Sequence, residues 1–365
     1  MSARRLLLAT GLVLALGAGA PTAAQECTLA ASLVNSGVGK DAIPPLLNPQ
    51  VLDVPAAALE WSNDTRVLGV VIDGQARAYP MPILWWHEIV NDQLGGKPIL
   101  VSYCPLTGTG LVFDPVVDGE FVTFGTSGLI YENNLVMYSR GKEESLWPQL
   151  DETALCESPA EGQTLPLYPA TETTWLAWKQ LYPETTIVSR GTGHQRDYDT
   201  YPYGDYDAVD NTLLLYPQSF VDPRLPMKAL VYGVRHEGSA IAYSHAGLAE
   251  LGDRAVVNGT LNGLRTAVVW DAASLTVRGF DRRPRIWKKG RWKSKTLKLE
   301  LVPGDDGSSF VLRHKRSKTT FSLTGEVIAG KLADRIENGR LEPLTNAYTA
   351  FWFAWATFHR GTEVR

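Results

Sequence analysis

Cysteine is scarce in this chain, which has only 3 cysteines in 365 residues. That number excludes a small protein held together mainly by disulfides. Charge of one sign is also lacking, because 35 basic side chains nearly balance 39 acidic ones. We therefore expect no nucleic-acid partner for the chain as a whole. No phosphate-binding loop and no G-x-G-x-x-G, H-E-x-x-H or G-x-S-x-G pattern occurs in a usable context, so nucleotide-driven chemistry and the commonest hydrolase classes lose support.

The N-terminus has the pattern of an export signal. Two arginines precede an apolar run over 6–20, and small residues at 22–24 suit signal-peptide cleavage. We therefore predict a signal peptide over 1–24 and a periplasmic or secreted protein. No later run is long and apolar enough to cross a bilayer, so we expect no transmembrane anchor. Export permits one disulfide, but the sequence does not choose among the pairings of Cys27, Cys104 and Cys156.

The chain resembles itself along its length. Three ordered pairs of segments match, at 7 of 13, 5 of 16 and 8 of 24 positions: 67–79 with 231–243, 89–104 with 256–271, and 162–185 with 339–362. Ordered self-similarity of this kind indicates a duplicated fold. Two-residue turns such as Asp73-Gly74 predict hairpins, and tryptophans three residues apart, at 175 and 178 and at 352 and 355, predict amphipathic helices whose rings pack in a core.

These patterns predict an α+β, β-rich fold of two homologous tandem domains, built of antiparallel hairpins with short amphipathic helices. The expected segments after the signal peptide are an N-terminal extension (25–60), a first repeat domain (61–190), a Tyr/Asp-rich linker (191–225) and a second repeat domain (226–365).

One residue pair stands out in the predicted hairpins. Facing residues of a two-residue hairpin have numbers with a constant sum. With the turn at Gly95-Gly96, that rule places His87 opposite Cys104. Applied to the second repeat, the rule pairs Arg254 with Asp271. We therefore expect an imidazole and a thiol in the first repeat at the position where the second repeat has a potential ion pair.

An imidazole beside a thiol is the arrangement of a cysteine-dependent enzyme. In that interpretation Cys104 is the nucleophile, His87 is the base, and Asn91 or Glu88 orients the histidine.

The same two groups also suit a metal, copper before zinc. Two ligands are too few, so the site would recruit Met137, His194 or His245. Inert packing of Cys104 beside a hydrogen-bonded histidine is the third interpretation of the pair.

Four motifs carry a resemblance to a known family: Ala76-Arg77-Ala78-Tyr79-Pro80, Trp86-His87-Glu88-Ile89-Val90-Asn91-Asp92, Tyr103-Cys104-Pro105-Leu106-Thr107-Gly108 and Glu144-Ser145-Leu146-Trp147. From about Asp41 to its C-terminus the chain resembles DUF3179, an exported bacterial family of unknown function. Members typically have Cys-Pro-Leu-Cys where this chain has Thr107 in place of the second cysteine. Cys104 and Thr107 together cannot form a redox disulfide or chelate a metal through two thiolates, so the departure favours the inert and single-thiol interpretations.

Two further segments bear on partners. Between residues 194 and 210, four tyrosines and five aspartates interleave, and we expect a tyrosine-clasped surface linker rather than a calcium or carbohydrate site. Residues 282–298 contain nine cations, from Arg282 to Lys298, and no acid. This run predicts an exposed basic hairpin, with an anionic envelope polymer as its candidate partner. Function thus stays open between metal binding, a cysteine-dependent enzyme and a non-catalytic binding or scaffold module.

Overall fold

The computed structural model describes residues 32–304 and 309–365. The predicted signal peptide and Cys27 lie outside these ranges. The described chain is β-rich, with antiparallel sheets and short helices, which confirms the predicted fold class. None of the helices in these two ranges has the length and apolar character needed to cross a membrane.

The helices are all short, and several begin with a side-chain cap or a proline in the first turn. Within the described ranges they are α1 (Val54–Ala57), α2 (Met81–His87), α3 (Trp175–Leu181), α4 (His245–Ala249) and α5 (Trp352–Phe358), with 3₁₀ turns at Ala272–Ser274, Ala333–Arg335 and Glu337–Gly339.

The strands of the first half form three main sheets and one two-stranded ribbon. They are β1 (Val34–Asn35), β2 (Leu46–Leu47), β3 (Val51–Leu52), β4 (Arg66–Ile72), β5 (Gln75–Pro80), β6 (Ile89–Leu94), β7 (Lys97–Cys104), β8 (Thr109–Phe113), β9 (Val116–Val117), β10 (Glu120–Phe121), β11 (Phe124–Tyr131), β12 (Asn134–Ser139), β13 (Leu146–Pro148), β14 (Leu167–Tyr168), β15 (Ala170–Thr174) and β16 (Thr186–Val188). The sheet orders are β1-β11-β12-β13, β14-β8-β7-β6-β2 and β15-β4-β5-β16-β3.

The second half also has three main sheets and a ribbon. Its strands are β17 (Leu230–His236), β18 (Ser239–Ser244), β19 (Arg254–Asn258), β20 (Thr266–Asp271), β21 (Thr276–Asp281), β22 (Arg285–Lys288), β23 (Arg291–Ser294), β24 (Leu299–Pro303), β25 (Phe310–His314), β26 (Thr319–Phe321), β27 (Val327–Ala329), β28 (Glu342–Pro343), β29 (Ala347–Phe351) and β30 (Glu363–Val364). The sheet orders are β29-β17-β18-β30, β19-β20-β21-β28 and β24-β25-β26-β27.

Corresponding sheets of the two halves have the same strand order. In the first half β15, β4, β5 and β16 lie side by side, and in the second β29, β17, β18 and β30 do so. In each set the last strand is parallel to its neighbour and the other pairs are antiparallel. The predicted register of the second repeat is also confirmed, because Arg254 pairs with Asp271 and its Nε lies 3.4 Å from the Asp271 Oδ2.

The two halves share one of the apolar clusters of the core, while the other clusters lie within one half. A single cluster of buried side chains contains Phe113 and Trp147 of the first half together with Val231 and Trp352 of the second. Across the same boundary the Phe351 N–H donates to the Thr107 carbonyl over 2.8 Å. The matched sheets therefore do not stand apart as two separate bodies, and the tandem-domain organisation stays a prediction.

Candidate functional site

The hairpin that carries the candidate site has the predicted turn but a shorter ladder. Strands β6 and β7 pair from Leu94 with Lys97 to Ile89 with Ser102, around Gly95-Gly96. His87 is the last residue of α2, so the ladder ends before it reaches His87 and Cys104. The predicted pairing of His87 with Cys104 across the hairpin is therefore wrong, because α2 turns the chain away from the strand direction at His87, two residues before β6 begins.

His87 has partners other than the predicted ones. Its Nδ1 lies 2.7 Å from the Pro44 carbonyl oxygen and its Nε2 lies 2.6 Å from the Tyr198 hydroxyl. Burial lowers the pKa of His87 to about 4, so the ring is neutral at physiological pH. Neither Asn91 nor Glu88 orients this imidazole.

Both polar atoms of the Asn91 side chain form hydrogen bonds with backbone groups. Its Oδ1 accepts from the Phe124 N–H over 2.7 Å, and its Nδ2 donates to the Phe124 carbonyl over 2.9 Å. The Asn91 Nδ2 also lies 3.3 Å from the Leu46 carbonyl. These bonds tie β6 to neighbouring strands, which is a structural role.

The predicted metal ligands fall into separate places. Met137 and Cys104 belong to the shared apolar core, whereas the rings of His87 and His194 lie 5.2 Å apart beside Tyr198. His245 packs against Trp270 in the second half, with ring centroids 5.3 Å apart. In the described ranges no three His, Cys, Asp or Glu side chains are close enough to hold a metal ion. Metal binding therefore stays a prediction.

Cys104 is a buried thiol at the end of β7, with 1% of its surface exposed. The chain turns directly after it, where the Thr107 N–H donates to the Cys104 carbonyl over 3.2 Å. The thiol donates to the Asn133 carbonyl oxygen over 3.8 Å. Hydrogen bonds with Thr107 and Leu135 act to lower the pKa of the thiol. Burial, reinforced by the charge of Glu88, raises the pKa of Cys104 to about 11, so the resting group is a thiol.

Glu88 is the charged neighbour of this thiol. It ends α2 in the left-handed region, with φ 55°, and its N–H donates to the Leu84 carbonyl over 2.9 Å. The buried carboxyl accepts a hydrogen bond from the Tyr203 hydroxyl over 3.1 Å. Burial raises the pKa of Glu88 to about 7, against the opposing effect of this hydrogen bond.

Cys104 and Glu88 line the same small cavity, which has a volume of about 100 Å³. Its other walls come from the first half, mostly from apolar side chains but also from Ser36 and Thr126, and from three linker residues, Tyr203, Leu215 and Tyr216. The Tyr/Asp-rich segment therefore covers a site rather than running only over the surface. A cavity of this size holds only a few non-hydrogen atoms.

The linker is fastened over the cavity by buried hydrogen bonds. The Tyr206 hydroxyl donates to the Leu106 carbonyl over 3.1 Å. The Asn133 side chain accepts from the Tyr216 N–H over 2.9 Å and donates to the Tyr216 carbonyl over 2.8 Å. These contacts hold the linker over Cys104.

Lys228 adds a second fastening. Only 1% of this residue is exposed, and its Nζ donates to the Tyr206 carbonyl over 2.6 Å and to the Leu213 carbonyl over 3.0 Å. The ammonium group also lies 3.3 Å from the centre of the Tyr206 ring. Burial lowers the pKa of Lys228 to about 8.

Sequence reasoning missed Tyr203, Asn133 and Lys228 as parts of the site. Asn133 follows Glu132 in a turn with positive φ at both positions, and an Asn in a predicted turn is a recognisable signal. Its contact with Tyr216, however, joins residues 83 apart. No local pattern predicts that contact.

A wider cleft of about 950 Å³ lies elsewhere, between the two halves. It contains the Glu152–Arg235 ion pair and Asp151, whose pKa burial raises to about 6. Neither Cys104 nor Glu88 lines this cleft. We place the candidate site at the smaller cavity, because a thiol and a carboxyl face the same space there.

The chain belongs to a protein family. The family model described as "Protein of unknown function (DUF3179)" matches residues 40–362, nearly the whole chain. This confirms the family resemblance carried by the four sequence motifs. No curated protein matches the chain, and no solved structure does.

Proposed function

We propose that this protein is an exported, cysteine-dependent enzyme in which Cys104 is the nucleophile and Glu88 is the proton acceptor. The observation that carries the proposal is that the Cys104 thiol and the Glu88 carboxyl line one small cavity. Glu88 replaces His87 as the base, because His87 is bonded to Pro44 and Tyr198 instead.

The reaction begins with proton transfer from the Cys104 thiol to the Glu88 carboxylate. The sulfur electron pair forms a bond to an electrophilic atom of the substrate, and the leaving group departs with its bonding pair and takes the proton from Glu88. Water then displaces the substrate fragment from sulfur and restores the thiol. Atoms and charges balance over these steps.

Proton transfer is uphill in the resting protein. The pKa values of about 11 for Cys104 and about 7 for Glu88 make it cost roughly 5 kcal/mol. Hydrogen bonds with Thr107 and Leu135 lower the pKa of the thiol, and such bonds favour the negative charge that develops on sulfur during attack. A cavity of about 100 Å³ with apolar walls selects a small, uncharged electrophile.

Alkylation by iodoacetamide, a small uncharged electrophile, tests the proposal. We expect mass spectrometry to find Cys104 modified in the folded protein and the site unmodified in Cys104→Ser. Glu88→Gln removes the proton acceptor and keeps the size of the side chain. We expect it to slow modification at least about tenfold at neutral pH, since a positioned base contributes about 10²–10⁴ in rate.

Glu172→Gln is the matched control for this experiment. Glu172 is also a buried carboxyl whose pKa burial raises to about 7, and it does not line the cavity. We expect its rate of modification to equal that of the wild type. A Glu88→Gln protein that reacts as fast as the wild type would remove Glu88 from the mechanism.

Two parts of the proposal have their own measurements. Cell fractionation tests export, for which the support is the signal-like N-terminus. Metal analysis of protein purified from the periplasm, beside Cys104→Ala, tests the copper or zinc interpretation. Stoichiometric metal that is lost in the variant would favour the metal site over the enzyme.

We also propose that the basic hairpin binds an anionic envelope polymer. Strands β22 and β23 pair as a hairpin, and the rings of Trp287 and Trp292 meet edge to face across it with centroids 5.3 Å apart. Two of the nine cations are used within the protein: Arg282 donates to three carbonyls and Arg285 binds Glu337. Seven exposed cations support the proposal: Arg283, Lys288, Lys289, Arg291, Lys293, Lys295 and Lys298.

Heparin, a polyanion, serves as the probe for this surface. We expect Lys288→Gln combined with Lys289→Gln and Arg291→Gln to elute from immobilised heparin at lower salt than the wild type. Replacing three exposed cations elsewhere, Lys40, Lys97 and Lys142, provides a control with the same loss of charge. Equal elution of both triple variants would contradict a specific role for the hairpin.

A further inference from the structure

A third cavity, of about 230 Å³, lies between the two halves and away from Cys104. We name it the Arg278–Arg340 pocket after the two arginines in its wall. The first half contributes Thr171, Trp178 and Tyr182, and the second half contributes Tyr232 and Phe280.

Both arginines have donors without acceptors in the described chain. The Arg278 Nη2 donates to the Tyr182 hydroxyl over 2.9 Å, but its Nη1 is buried and has no hydrogen-bond partner. The Arg340 Nε is also buried without a hydrogen-bond partner, although the side chain is 34% exposed and forms an ion pair with Glu342, whose Oε2 is 3.9 Å away. A buried donor without an acceptor costs about 1–3 kcal/mol, and more when it is charged. Two such donors in one wall indicate a missing acceptor.

The charge of the pocket favours an anion. Among the residues that line it, Asp73 is the sole carboxylate, and the Lys97 Nζ lies 3.0 Å from its Oδ2. The two guanidinium groups therefore face the cavity without a carboxylate of their own in its wall. Arginine forks match carboxylate and phosphate oxygens geometrically.

Flat apolar surfaces form the rest of the wall. The rings of Trp178 and Tyr182 lie 4.4 Å apart, and the Arg278 guanidinium lies 5.8 Å from the Tyr182 ring and 5.9 Å from the Phe280 ring. Aromatic faces of this kind bind planar apolar groups. The volume is below the roughly 300–1,000 Å³ of drug-sized sites, so the ligand is compact.

We infer that the Arg278–Arg340 pocket binds a small organic carboxylate that carries a flat apolar group. The carboxylate accepts hydrogen bonds from Arg278 and Arg340, and the flat group lies against the aromatic wall. This site is independent of the proposed thiol chemistry, and either can fail without the other.

Calorimetric titration of the full mature protein with benzoate tests the inference. We expect saturable binding, and we expect Arg278→Gln and Arg340→Gln each to raise Kd at least about tenfold, since a charge-assisted hydrogen bond contributes about 1.5–3 kcal/mol. Arg335→Gln, at an exposed position outside the pocket, should leave Kd unchanged. Thermal unfolding of each variant shows whether it is folded. If Arg278→Gln does not fold, Arg340→Gln carries the test alone.

Two further probes define the ligand class. Benzyl alcohol keeps the ring without the charge, and we expect it to bind at least tenfold more weakly than benzoate. Inorganic phosphate keeps charge without the ring, and binding as tight as that of benzoate would overturn the assignment to an organic carboxylate. No saturable binding of benzoate, or equal binding by the arginine variants, would overturn the site itself.

Discussion

Burial sets the protonation of the three ionisable groups in and around the thiol cavity. It raises the pKa of Glu88 to about 7 and that of Cys104 to about 11, and it lowers that of Lys228 to about 8. Near neutral pH, Glu88 is therefore divided between its two forms, while the thiol and the ammonium keep their protons. A carboxyl whose pKa lies near neutral pH is suited to accept and return a proton there.

Glu88 should make the stability of the protein depend on pH. Its pKa is about 7 when folded and near 4.5 when unfolded, so the folded state binds more protons between these values. Stability is then highest below pH 4.5 for this group and is lost as pH rises through 7, by up to about 3 kcal/mol. We expect Glu88→Gln to remove that loss, measured by urea unfolding at pH 5 and pH 7.5.

The wild type must be compared with Glu88→Gln because burial also raises the pKa of Glu172 to about 7, so both carboxyls titrate over the same pH range. Glu172→Gln should remove its own contribution and leave that of Glu88. The interpretation fails if wild type and Glu88→Gln lose the same free energy of unfolding between the two pH values.

At the scale of elements, the same packing contact occurs in each half. A Cβ added to Gly69 in β4 would overlap the ring of Trp178 in α3, and one added to Gly233 in β17 would overlap the ring of Trp355 in α5. Each indole N–H donates to a threonine hydroxyl, over 2.9 Å to Thr185 and 3.0 Å to Thr362. The absence of a Cβ at the two glycines lets each helix lie directly on its strand.

Alanine at either glycine should therefore destabilise the protein. We expect Gly69→Ala and Gly233→Ala each to lower the free energy of unfolding by about 1–3 kcal/mol, because the added methyl displaces a buried indole. Chemical denaturation checks this, with Gly39→Ala as control, since a Cβ there would meet nothing within 4 Å. Equal losses at all three positions would show that overlap with the indole is not the cause.

Local sequence rules predicted the hairpins and failed where a contact is distant. The turn at Gly95-Gly96 and the register of β6 with β7 follow from alternation and turn residues. The rule failed at His87, because α2 interrupts the strand pairing that the rule assumes. The contact of Glu88 with Tyr203 joins residues 115 apart, and no periodicity in the sequence encodes it.

At the scale of the whole molecule, the β-rich fold class and the family membership agree with the sequence. The matched sheet orders are what a duplicated chain would have, and duplication itself stays a prediction. Boundaries placed at 190 and 226 did not anticipate that the segment between them covers Cys104. Composition marks such a segment as polar and Tyr-rich, but it does not say what lies beneath it.

The core common to both halves has a thermodynamic consequence. Phe113 and Trp352 bury their surface in one cluster, so unfolding of either half would expose that part of the other half's apolar surface, although each half also has apolar clusters of its own. Heating should then give one cooperative unfolding transition. A fragment confined to 226–365 would expose the apolar surface that Trp352 and its neighbours bury in the full chain. The two halves are in that sense one folding unit, whether or not the chain arose by duplication.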